Sequence, residues 1–333
     1  MSHTKTLNWG LLGTSFISGI MAEAIEKHDG STLYAVAGRS PKGLEEFLNQ
    51  HPTPTQYDNY DALINDPAVD VVYIGLPNHI HHEYVMKAAN AGKAILCEKS
   101  LSVTMADTDA ALAAVESNGV FFLEGLMYLT HPFASKIAEV IASGELGEVR
   151  SINASYCASI AQFVNPGSKG AIYNLGCYPA SLIHLVMQSA SADGTCPAWE
   201  LTAHGRRNLG DGNIGETAAT IQFANGALAQ LHCAEDYGMF WAFSVAGSKG
   251  RMEIISNPWL PEAQANVIRV LPYEGEEQRH EVSADGDAFH YQVRAVWQAL
   301  QNGEKALARP AVRPQDSRQI MQLLTEWENK TVC

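Results

Sequence analysis

Basic residues are scarce in this chain of 333 amino acids. It has 22 lysines and arginines against 36 aspartates and glutamates, which gives a formal net charge of −14. A nucleic acid or an anionic membrane surface would require a basic face on its protein partner, so the charge balance argues against both. Long apolar runs are also absent, and none approaches the length of a membrane span. The first residues, Met1 to Asn8, lack the apolar segment of a signal peptide. We therefore expect a cytoplasmic protein.

Paired cysteines are missing as well. Six cysteines are scattered along the chain, at positions 97, 157, 177, 196, 233 and 333, and no two have the Cys-x-x-Cys spacing. They are typical of small buried side chains in a reducing compartment, not of a disulfide or zinc framework. His79, His81 and His82 lie together at the start of a predicted helix, where adjacent histidines do not converge on one ion. We therefore expect no metal.

Repeats, low-complexity linkers and coiled-coil heptads are also absent, and the length corresponds to roughly two domains. The first third of the chain alternates between strand and helix patterns. Strands are predicted at 8–12, 34–37, 69–74, 94–97 and 120–123, and helices at 17–25, 81–91 and 104–117, with a further helix opened by Ser40-Pro41. This alternation predicts an α/β domain with a doubly wound parallel sheet, which we assign to residues 1–125.

The pattern changes after Tyr128, and residues 126–333 are assigned to a second, α+β domain. Helices are predicted at 132–143, 174–188, 288–302 and 314–329, and strands at 148–159, 199–206, 216–223, 227–233, 241–247, 251–256 and 266–271. Asn225-Gly226 between two of these strands is a strong hairpin signal, so much of this second sheet is predicted to be antiparallel. The acidic stretch from Glu274 to Glu281 is interpreted as a solvated edge or loop.

The turn after the first strand occupies the place of a dinucleotide fingerprint, G-x-G-x-x-G. It reads Gly13-Thr14-Ser15-Phe16-Ile17-Ser18, so serines stand where the second and third glycines would be. Both serines are small, a serine hydroxyl can donate to phosphate, and a helix N-terminus favours an anion. A plain strand-turn-helix would have the same appearance, so the turn alone is a weak signal.

The second strand ends in Gly38-Arg39-Ser40, where an NAD enzyme usually places an acidic residue for the ribose 2′-hydroxyl. An arginine offers a planar fork of donors to a 2′-phosphate instead. A surface arginine at a helix start is about as common in general. After a fingerprint turn, however, Arg39 favours NADP(H), with NAD(H) as the other possibility.

The segment from Gly92 to Lys99 is predicted to be a short buried strand that carries Glu98 and Lys99 out at its C-terminal end. In an open parallel sheet that end faces the ligand crevice, where a lysine beside a bound cofactor can hold a substrate hydroxyl. Taken alone, a Glu-Lys pair at this position is more often an ordinary solvated pair that caps a strand.

Several motifs in one order carry a family resemblance over nearly the whole chain. They are Gly10-Leu11-Leu12-Gly13, Pro77-Asn78 with His81 and Glu83, Gly92-Lys93 leading to Glu98-Lys99, Glu124-Gly125 with Met127-Tyr128 and His131-Pro132, Leu146-Gly147-Glu148-Val149, Leu175-Gly176-Cys177-Tyr178-Pro179, and Gly247-Ser248-Lys249-Gly250. Together they resemble the glucose-fructose oxidoreductase/inositol dehydrogenase family, also called Gfo/Idh/MocA. The tyrosine at position 178 is similar to the dihydrodiol dehydrogenase and NADP-dependent D-xylose dehydrogenase branch.

The resemblance implies an N-terminal Rossmann domain, a C-terminal domain with a large open sheet that binds substrate, and homodimers or homotetramers packed through those sheets. It implies an NADP(H)-dependent oxidoreductase that transfers a hydride to or from a sugar, a polyol-like compound or a cyclic alcohol or ketone. The residues expected to bind the cofactor are Gly10, Gly13, Thr14, Ser15, Phe16, Ile17, Arg39, Ser40, Leu76, Pro77, Asn78, His81, Glu98 and Lys99. Among them, Pro77 and Asn78 shape the floor under the nicotinamide and Glu98 positions its neighbours.

The expected catalytic residues are Lys99, Tyr178 and Asn174. A tyrosine has a reference pKa near 10, and a nearby ammonium group lowers it by favouring the phenolate. Tyr178 would therefore act as acid/base, with Lys99 as its electrostatic partner and substrate anchor. Asn174 precedes Tyr178 by four residues, so one helix face presents both. The bland alternative for Tyr178 is a half-buried helix tyrosine with a locally satisfied hydroxyl.

Three positions near the expected site depart from the family pattern. Ser100 replaces the proline after Glu-Lys, Asn174 replaces an aspartate, and Leu129 replaces an arginine after Met-Tyr. The loop 161–169 is short, which suggests a more open pocket. These departures fit either an unusual substrate or weakened chemistry, so a nucleotide-binding sensor or regulatory protein with little turnover is the alternative function.

Other polar and aromatic residues carry weaker expectations. Lys169 and His184 could line the substrate pocket, although His184 could equally be a core or surface residue of its helix. Trp241, Trp259 and Trp297 are expected to be packing residues.

Overall fold

The computed structural model describes residues 5–333, so residues 1–4 of the N-terminal stretch considered above lie outside the described residues. The chain divides into two compact units, which are described separately. The first unit ends at Met127 and also contains Phe289–Arg318, and the second comprises Tyr128–Ala288 and Gln319–Cys333. The prediction that residues 126–333 form the second domain therefore needs a correction. The segment Phe289–Arg318 belongs to the first unit.

Trp297 gives the physical reason for this return. Its ring packs edge-on against His28, with the centroids 5.4 Å apart. A Cβ atom at Gly30 would lie 2.3 Å from the indole nitrogen, so the absence of a side chain at Gly30 makes room for the ring. The indole N–H donates to the carbonyl of Lys5 at 3.3 Å. Trp297 is thus a packing residue, as predicted, and it attaches its helix to the first unit.

The first unit is a doubly wound α/β fold, as predicted. Its six-stranded sheet has the order β3-β2-β1-β4-β5-β6, and all of the paired strands are parallel. The elements are β1 (Leu7–Leu12), α1 (Phe16–Glu26), β2 (Ser31–Ala37), α2 (Pro41–Gln50), β3 (Thr55–Tyr57), α3 (Tyr60–Ile64), β4 (Val71–Ile74), α4 (His81–Asn90), β5 (Ala94–Glu98), α5 (Met105–Asn118), β6 (Phe122–Gly125) and, from the returning segment, most of α8 (Ala288–Gln301).

Local sequence signals explain where these elements begin. Ser40 caps α2 by accepting a hydrogen bond from the backbone N–H of Gly43, and Pro41 occupies the first helical position. Thr104 caps α5 in the same way, with Asp107 as the donor. Strands β4 and β5 are buried along their whole length, which accounts for their continuous apolar runs.

The second unit is an α+β fold around a nine-stranded sheet of order β14-β13-β12-β11-β7-β10-β9-β8-β15. The β7–β10 and β8–β15 pairs are parallel and the other pairs are antiparallel, which confirms the predicted mostly antiparallel sheet. Its elements are α6 (Pro132–Ala142), β7 (Val149–Ala158), α7 (Cys177–Ser189), β8 (Trp199–Arg207), β9 (Ile214–Phe223), β10 (Leu228–Ala234), β11 (Met239–Gly247), β12 (Gly250–Ile254), β13 (Asn266–Pro272), β14 (Gln278–Val282), most of α9 (Pro314–Lys330) and β15 (Thr331–Val332).

Most predicted features of this unit are confirmed and one boundary is wrong. Asn225-Gly226 forms the β9–β10 hairpin, with Gly226 at a φ of +86°. Part of the acidic stretch forms β14, which is an edge strand of the sheet. The helix predicted from residue 174 begins instead with a π-helical turn over Ile172–Gly176, and the α-helix follows from Cys177. Such π turns are frequent at functional sites.

Among the described residues, no helix combines the length and apolar composition needed to cross a bilayer. Within the same residues, no three histidine, cysteine or acidic side chains are grouped closely enough to hold a metal ion.

Candidate functional site

The fingerprint turn is built around a glycine that no other residue could replace without strain. Gly13 has a φ of +97°, and a Cβ atom on it would lie 2.9 Å from the carbonyl oxygen of Gly75. The turn therefore passes directly over the end of β4. Gly10 has a different position, inside β1, where a Cβ atom would meet Leu63 of α3 at 2.6 Å. Its lack of a side chain serves packing within the unit.

The two serines of the turn divide the roles of the missing glycines. Ser18 is fully buried, and its hydroxyl lies 3.1 Å from that of Ser15, which also donates to the Gly75 carbonyl at 3.2 Å. Ser18 thus packs α1 onto the sheet. Ser15 is the N-cap residue of α1 but makes no side-chain cap, so its side chain leaves the first N–H groups of the helix to other acceptors. Thr14 is half-buried beside it, and Phe16 is 86% exposed.

Arg39 lies exposed at the end of β2, immediately before the capping residue Ser40. Its guanidinium carbon is 5.6 Å from the centroid of the Tyr60 ring. Within residues 5–333, no carboxylate lies in ion-pair range of Arg39. The guanidinium is therefore held by an aromatic face and keeps its donors for a ligand anion.

The loops after β4 and β5 are joined by His81. The Nδ1 atom of this buried ring is 2.9 Å from the carbonyl oxygen of Ser100, and Nε2 is 2.6 Å from that of Leu76. Burial lowers the pKa of His81 to about 4, whereas the hydrogen bonds to the two carbonyl oxygens act in the opposite direction. Both nitrogens face the main chain of the first unit, and His81 thereby fixes the loop that carries Pro77 and Asn78.

Lys99 follows a buried pair of carboxylates at the ends of β5 and β6. Glu98 accepts hydrogen bonds from the hydroxyl of Tyr73 at 2.9 Å and from the backbone N–H of Lys99 at 3.3 Å. Glu124 accepts from the backbone N–H of Leu101 at 3.0 Å. Burial raises the pKa of Glu98, against the opposing charge of Lys99, and it raises the pKa of Glu124 to about 7.

The second unit supplies Tyr178, in the first turn of α7. It is 8% exposed and three aromatic rings surround it, with centroids at 5.1 Å for Tyr156 and 6.5 Å for both Trp259 and Tyr128. The indole of Trp259 donates to the carbonyl oxygen of Tyr178 at 2.9 Å. Trp259 is therefore a packing residue, as predicted, and one that fixes the backbone of Tyr178.

Asn174 lies in the π turn, and its side-chain Nδ2 donates to Oε2 of Glu235 at 2.7 Å. Glu235 directly follows β10 and is fully buried, and burial raises the pKa of its carboxyl group. The two residues that could line the substrate pocket, His184 and Lys169, have partners in the second unit. His184 Nε2 lies 2.8 Å from Oε1 of Gln319, and Lys169 forms an ion pair with Glu328 at 3.3 Å. Both attach to residues of α9.

The predicted site residues thus fall into two groups. The fingerprint turn, Arg39 with Ser40, the Leu76–Asn78 loop and Lys99 lie at the carboxyl ends of the parallel strands in the first unit. Asn174 and Tyr178 lie on one helical segment of the second unit. Sequence reasoning missed the roles of Tyr73, Glu124, Tyr156 and Glu235. Only Glu124 gave a signal, because it lies in one of the recognised motifs.

Comparison with protein families matches both units. The model described as oxidoreductase family, NAD-binding Rossmann fold, matches residues 7–126. The GFO/IDH/MocA C-terminal domain model matches residues 134–253. The chain belongs to the GFO/IDH/MocA oxidoreductase family. It is thus an oxidoreductase with a dinucleotide-binding domain of the Rossmann type, and the resemblance inferred from its motifs is confirmed.

Curated relatives fall in the predicted branch. The chain is 27% identical over 324 residues to trans-1,2-dihydrobenzene-1,2-diol dehydrogenase of Oryctolagus cuniculus, which covers 95% of this chain and 94% of the relative. It is 28% identical over 328 residues to D-xylose 1-dehydrogenase (NADP(+)) 2 of Haloferax volcanii, with 95% and 94% covered.

Solved structures share the fold of this GFO/IDH/MocA member. KijD10, a 3-ketoreductase from Actinomadura kijaniata in complex with NADP and TDP-benzene, has a TM-score of 0.86 at 24% identity, with 98% of both chains covered. Levoglucosan dehydrogenase in complex with NADH and levoglucosan has a TM-score of 0.80 at 18% identity, with 97% of this chain and 96% of the other covered.

Proposed function

We propose that this protein is an NADP(H)-dependent oxidoreductase that transfers a hydride to or from a sugar, a polyol-like compound or a cyclic alcohol or ketone. One observation carries the proposal. Lys99 follows directly on β5, which only β4 separates from β1 and its fingerprint turn, and the buried Glu98 accepts a hydrogen bond from the backbone N–H of Lys99. An ammonium group at this edge of the sheet can hold a substrate oxygen near the nicotinamide.

The residues at the first turn fit a dinucleotide. At Gly13 the backbone passes where a Cβ atom would collide with Gly75, and the α1 N-terminus offers N–H groups to a pyrophosphate. Arg39, whose guanidinium carbon lies 5.6 Å from the centroid of the Tyr60 ring, offers its donors to a 2′-phosphate, and no acid follows β2 to repel one. The D-xylose dehydrogenase relative is named for NADP(+), which favours the same cofactor here.

Tyr178 is assigned as the acid/base and Lys99 as the group that favours its phenolate. When bound, the nicotinamide ring supplies or accepts the hydride. In the oxidative direction Tyr178 takes the proton of the substrate hydroxyl as the carbon loses its hydride, and in reduction it returns that proton to the new alkoxide. Lys99 holds the same oxygen and stabilises its negative charge. The aromatic rings around Tyr178 keep bulk water from the proton that moves.

For the substrate, we propose a small ring compound with neighbouring hydroxyl or carbonyl groups. The relatives named above act on a dihydrodiol and on D-xylose, which share vicinal oxygens on a ring-forming carbon skeleton. Asn174 adds an amide to Tyr178 and Lys99, which gives enough polar groups to hold two neighbouring oxygens.

The test is turnover of NADP+ followed by NADPH fluorescence, with D-xylose and trans-1,2-dihydrobenzene-1,2-diol as the first probes. We expect Tyr178→Phe and Lys99→Met each to lower kcat by a factor of about 10² or more, because each removes a group that acts on the moving proton. NADPH affinity of Tyr178→Phe should stay within twofold of the wild-type value. Full turnover in both variants would refute the mechanism. Tight NADPH binding without turnover on a broad panel of sugars and diketones would support the sensor alternative.

The protein is further proposed to form a homodimer or homotetramer in the cytoplasm, through the outer face of the nine-stranded sheet. One row of side chains on that face crosses five strands without a charged residue. It consists of Ser244, Asn153, Gln230, Thr220 and Thr202, each paired with the next across the sheet. Within residues 5–333, no disulfide joins any of the six cysteines, which fits a reducing compartment. Fractionation of cells that express the chain tests the location.

A further inference from the structure

Glu235 is a buried carboxylate whose backbone N–H and carbonyl groups are both hydrogen-bonded. Its N–H donates to the carbonyl oxygen of Gly215 at 2.9 Å, and its own carbonyl accepts from the N–H groups of Ile160 and Ala161, both at 2.8 Å. These bonds tie it to the start of β9 and to the segment after β7. The backbone of Glu235 is therefore held on both sides, and the residue is completely buried.

The contact between Glu235 and Asn174 fixes the orientation of an amide. A carboxylate oxygen only accepts hydrogen bonds, so the atom of Asn174 that lies 2.7 Å from Oε2 of Glu235 is the NH₂ nitrogen. The carbonyl oxygen Oδ1 of Asn174 is thereby fixed as the acceptor end of the amide. The backbone of Asn174 is held as well, because its N–H donates to the carbonyl oxygen of Gly170 at 3.1 Å.

We propose that Glu235 is a positioning residue of the substrate site. It orients the Asn174 amide so that Oδ1 presents a hydrogen-bond acceptor one helical turn before Tyr178. The acceptor would receive the O–H of a second substrate hydroxyl while Tyr178 acts on the first. This inference rests on the proposed function, and it deepens it by assigning a vicinal diol, or the corresponding hydroxyketone, as the substrate class.

The burial of Glu235 without a cation partner supports this role. Its Oε1 has no hydrogen-bond partner among residues 5–333, and burial raises the pKa of the group while the hydrogen bond from Asn174 opposes this shift. A buried carboxylate held mainly by one amide costs folding free energy. A glutamine of the same shape would avoid this cost but could not dictate which way the amide of Asn174 turns.

The pair therefore requires one carboxylate and one amide, in either order. Asn174→Asp would place two buried carboxylates 2.7 Å apart, where they cannot both be ionised. Glu235→Gln would leave two amides, and this contact would then no longer determine which end of the Asn174 amide faces residue 235. The double variant Asn174→Asp/Glu235→Gln restores one carboxylate and one amide, and the aspartate keeps an oxygen for the substrate. An exchange of this kind is a direct test of the pairing.

We expect Glu235→Gln to lower kcat/KM for a vicinal diol by about tenfold, mostly through KM, because a misdirected amide weakens substrate binding. Asn174→Asp should lower it further at pH 8, and the double variant should recover to within about threefold of the wild-type value. The probes are D-xylose and trans-1,2-dihydrobenzene-1,2-diol, with NADP+. Losses in the double variant that equal the product of the two single losses would overturn the proposal.

Glu328→Gln is the matched control. Glu328 accepts a hydrogen bond from the hydroxyl of Tyr173, the neighbour of Asn174, at 2.7 Å, so its replacement also removes a carboxylate from a residue of the π turn. We expect kcat/KM to change less than twofold. An equal loss in Glu328→Gln and Glu235→Gln would show that the carboxylates only support the turn, and would contradict a specific role of Glu235.

Thermal unfolding at pH 8 tests the exchange of the carboxylate and the amide between positions 174 and 235 without any substrate. Asn174→Asp should lower Tm by on the order of 5 °C, and the added Glu235→Gln should restore most of it. Lack of any recovery in Tm would remove the pairing itself. The proposed function fails separately, if Tyr178→Phe retains full turnover. If Tyr178→Phe is inactive while Glu235→Gln has wild-type kinetics, only the present inference falls.

Discussion

Two buried carboxylates, Glu98 and Glu124, decide the charge around Lys99. They lie at the ends of neighbouring parallel strands, and Glu98 accepts two hydrogen bonds where Glu124 accepts one from a backbone N–H. Glu98 is therefore the better placed to stay ionised beside the ammonium group. Burial raises the pKa of Glu124 to about 7, so this carboxyl group is partly protonated near neutral pH.

The raised pKa of Glu124 predicts a pH dependence of stability. Because the folded-state pKa lies above the ordinary value of 4.5, the folded protein binds more protons than the unfolded chain between those two values. Protonated Glu124 thus contributes to the free energy of unfolding. This contribution is fully present below about pH 4.5 and is lost as the pH rises to about 7, by roughly 3 kcal/mol at most. We expect Glu124→Gln to flatten this decline in urea unfolding between pH 5 and pH 8. An unchanged slope in the variant would show that Glu124 titrates normally.

Arg39 predicts the cofactor preference. We expect Arg39→Ala to raise the Kd for NADPH about 10- to 100-fold, because it removes charge-assisted hydrogen bonds to the 2′-phosphate, and to change the Kd for NADH less than threefold. Quenching of intrinsic fluorescence on titration gives both constants. Lys42→Ala is the control, because Lys42 is a nearby exposed cation that is paired with Glu46. Equal losses for NADPH and NADH would show that Arg39 does not read the phosphate.

At the scale of elements, the sequence was sufficient to predict the helices and strands with a regular apolar pattern, but not the short or irregular elements. The alternation of apolar runs and helical periods predicted most elements of both units within a few residues, and the capping residues Ser40 and Thr104 explain why two of the helices begin where they do. The strand β3 was missed because three residues carry no period. The π turn before α7 was missed because its residues look helical in sequence.

The fingerprint turn and the site show a similar division. Gly13, Arg39 and Lys99 each follow a predicted strand. Once those strands are assigned to a parallel sheet, all three residues are placed at the carboxyl edge of that sheet. Glu235 is distant from Asn174 in sequence, and only the register of β9 and β10 with the segment after β7 brings the two together. Residues that meet through sheet register give no local signal in the sequence, so the contact between Glu235 and Asn174 could not be predicted from it.

Gly13 allows steric and conformational effects of a turn to be separated. Gly13 and Gly92 both have positive φ values, of +97° and +72°. Of the two, only Gly13 has another atom within 3 Å of the position that a Cβ atom would occupy. We expect Gly92→Ala to cost about 1 kcal/mol of unfolding free energy and leave NADPH binding unchanged. Gly13→Ala should cost more and raise the Kd for NADPH at least tenfold, because the turn must move away from β4. Urea unfolding and fluorescence titration measure the two effects, and equal behaviour of both variants would contradict this account.

At the scale of the whole molecule, the order of the chain differs from the order of the units. The sequence offered no sign that the segment after residue 288 returns to the first unit, because Trp297 appears as one more aromatic residue of an amphipathic helix. The decisive feature is Gly30, whose missing side chain receives the indole. Steric complementarity between distant residues of this kind is set by packing and not by periodicity.

The nine-stranded sheet leads to the prediction about assembly. Its outer row of uncharged side chains spans five strands, or roughly 19 Å at the usual strand spacing. A row of uncharged side chains of this width, which Glu253 continues on β12, is suited to a second copy of itself, in which each row lies against its symmetry mate. An arginine introduced into this row would be buried at such an interface without an acidic partner, and the assembly should then dissociate.

We therefore expect Thr220→Arg to convert the protein to a monomer in light scattering coupled to size-exclusion chromatography, with an unchanged circular dichroism spectrum. Gln278→Arg, on the edge strand β14, is the control and should retain the wild-type mass, because its side chain lies outside the row. NADPH binding, which belongs to the first unit, should persist in the Thr220→Arg monomer. A wild-type protein that is itself monomeric at micromolar concentration, or a Thr220→Arg variant with unchanged mass, would show that this face is not an interface.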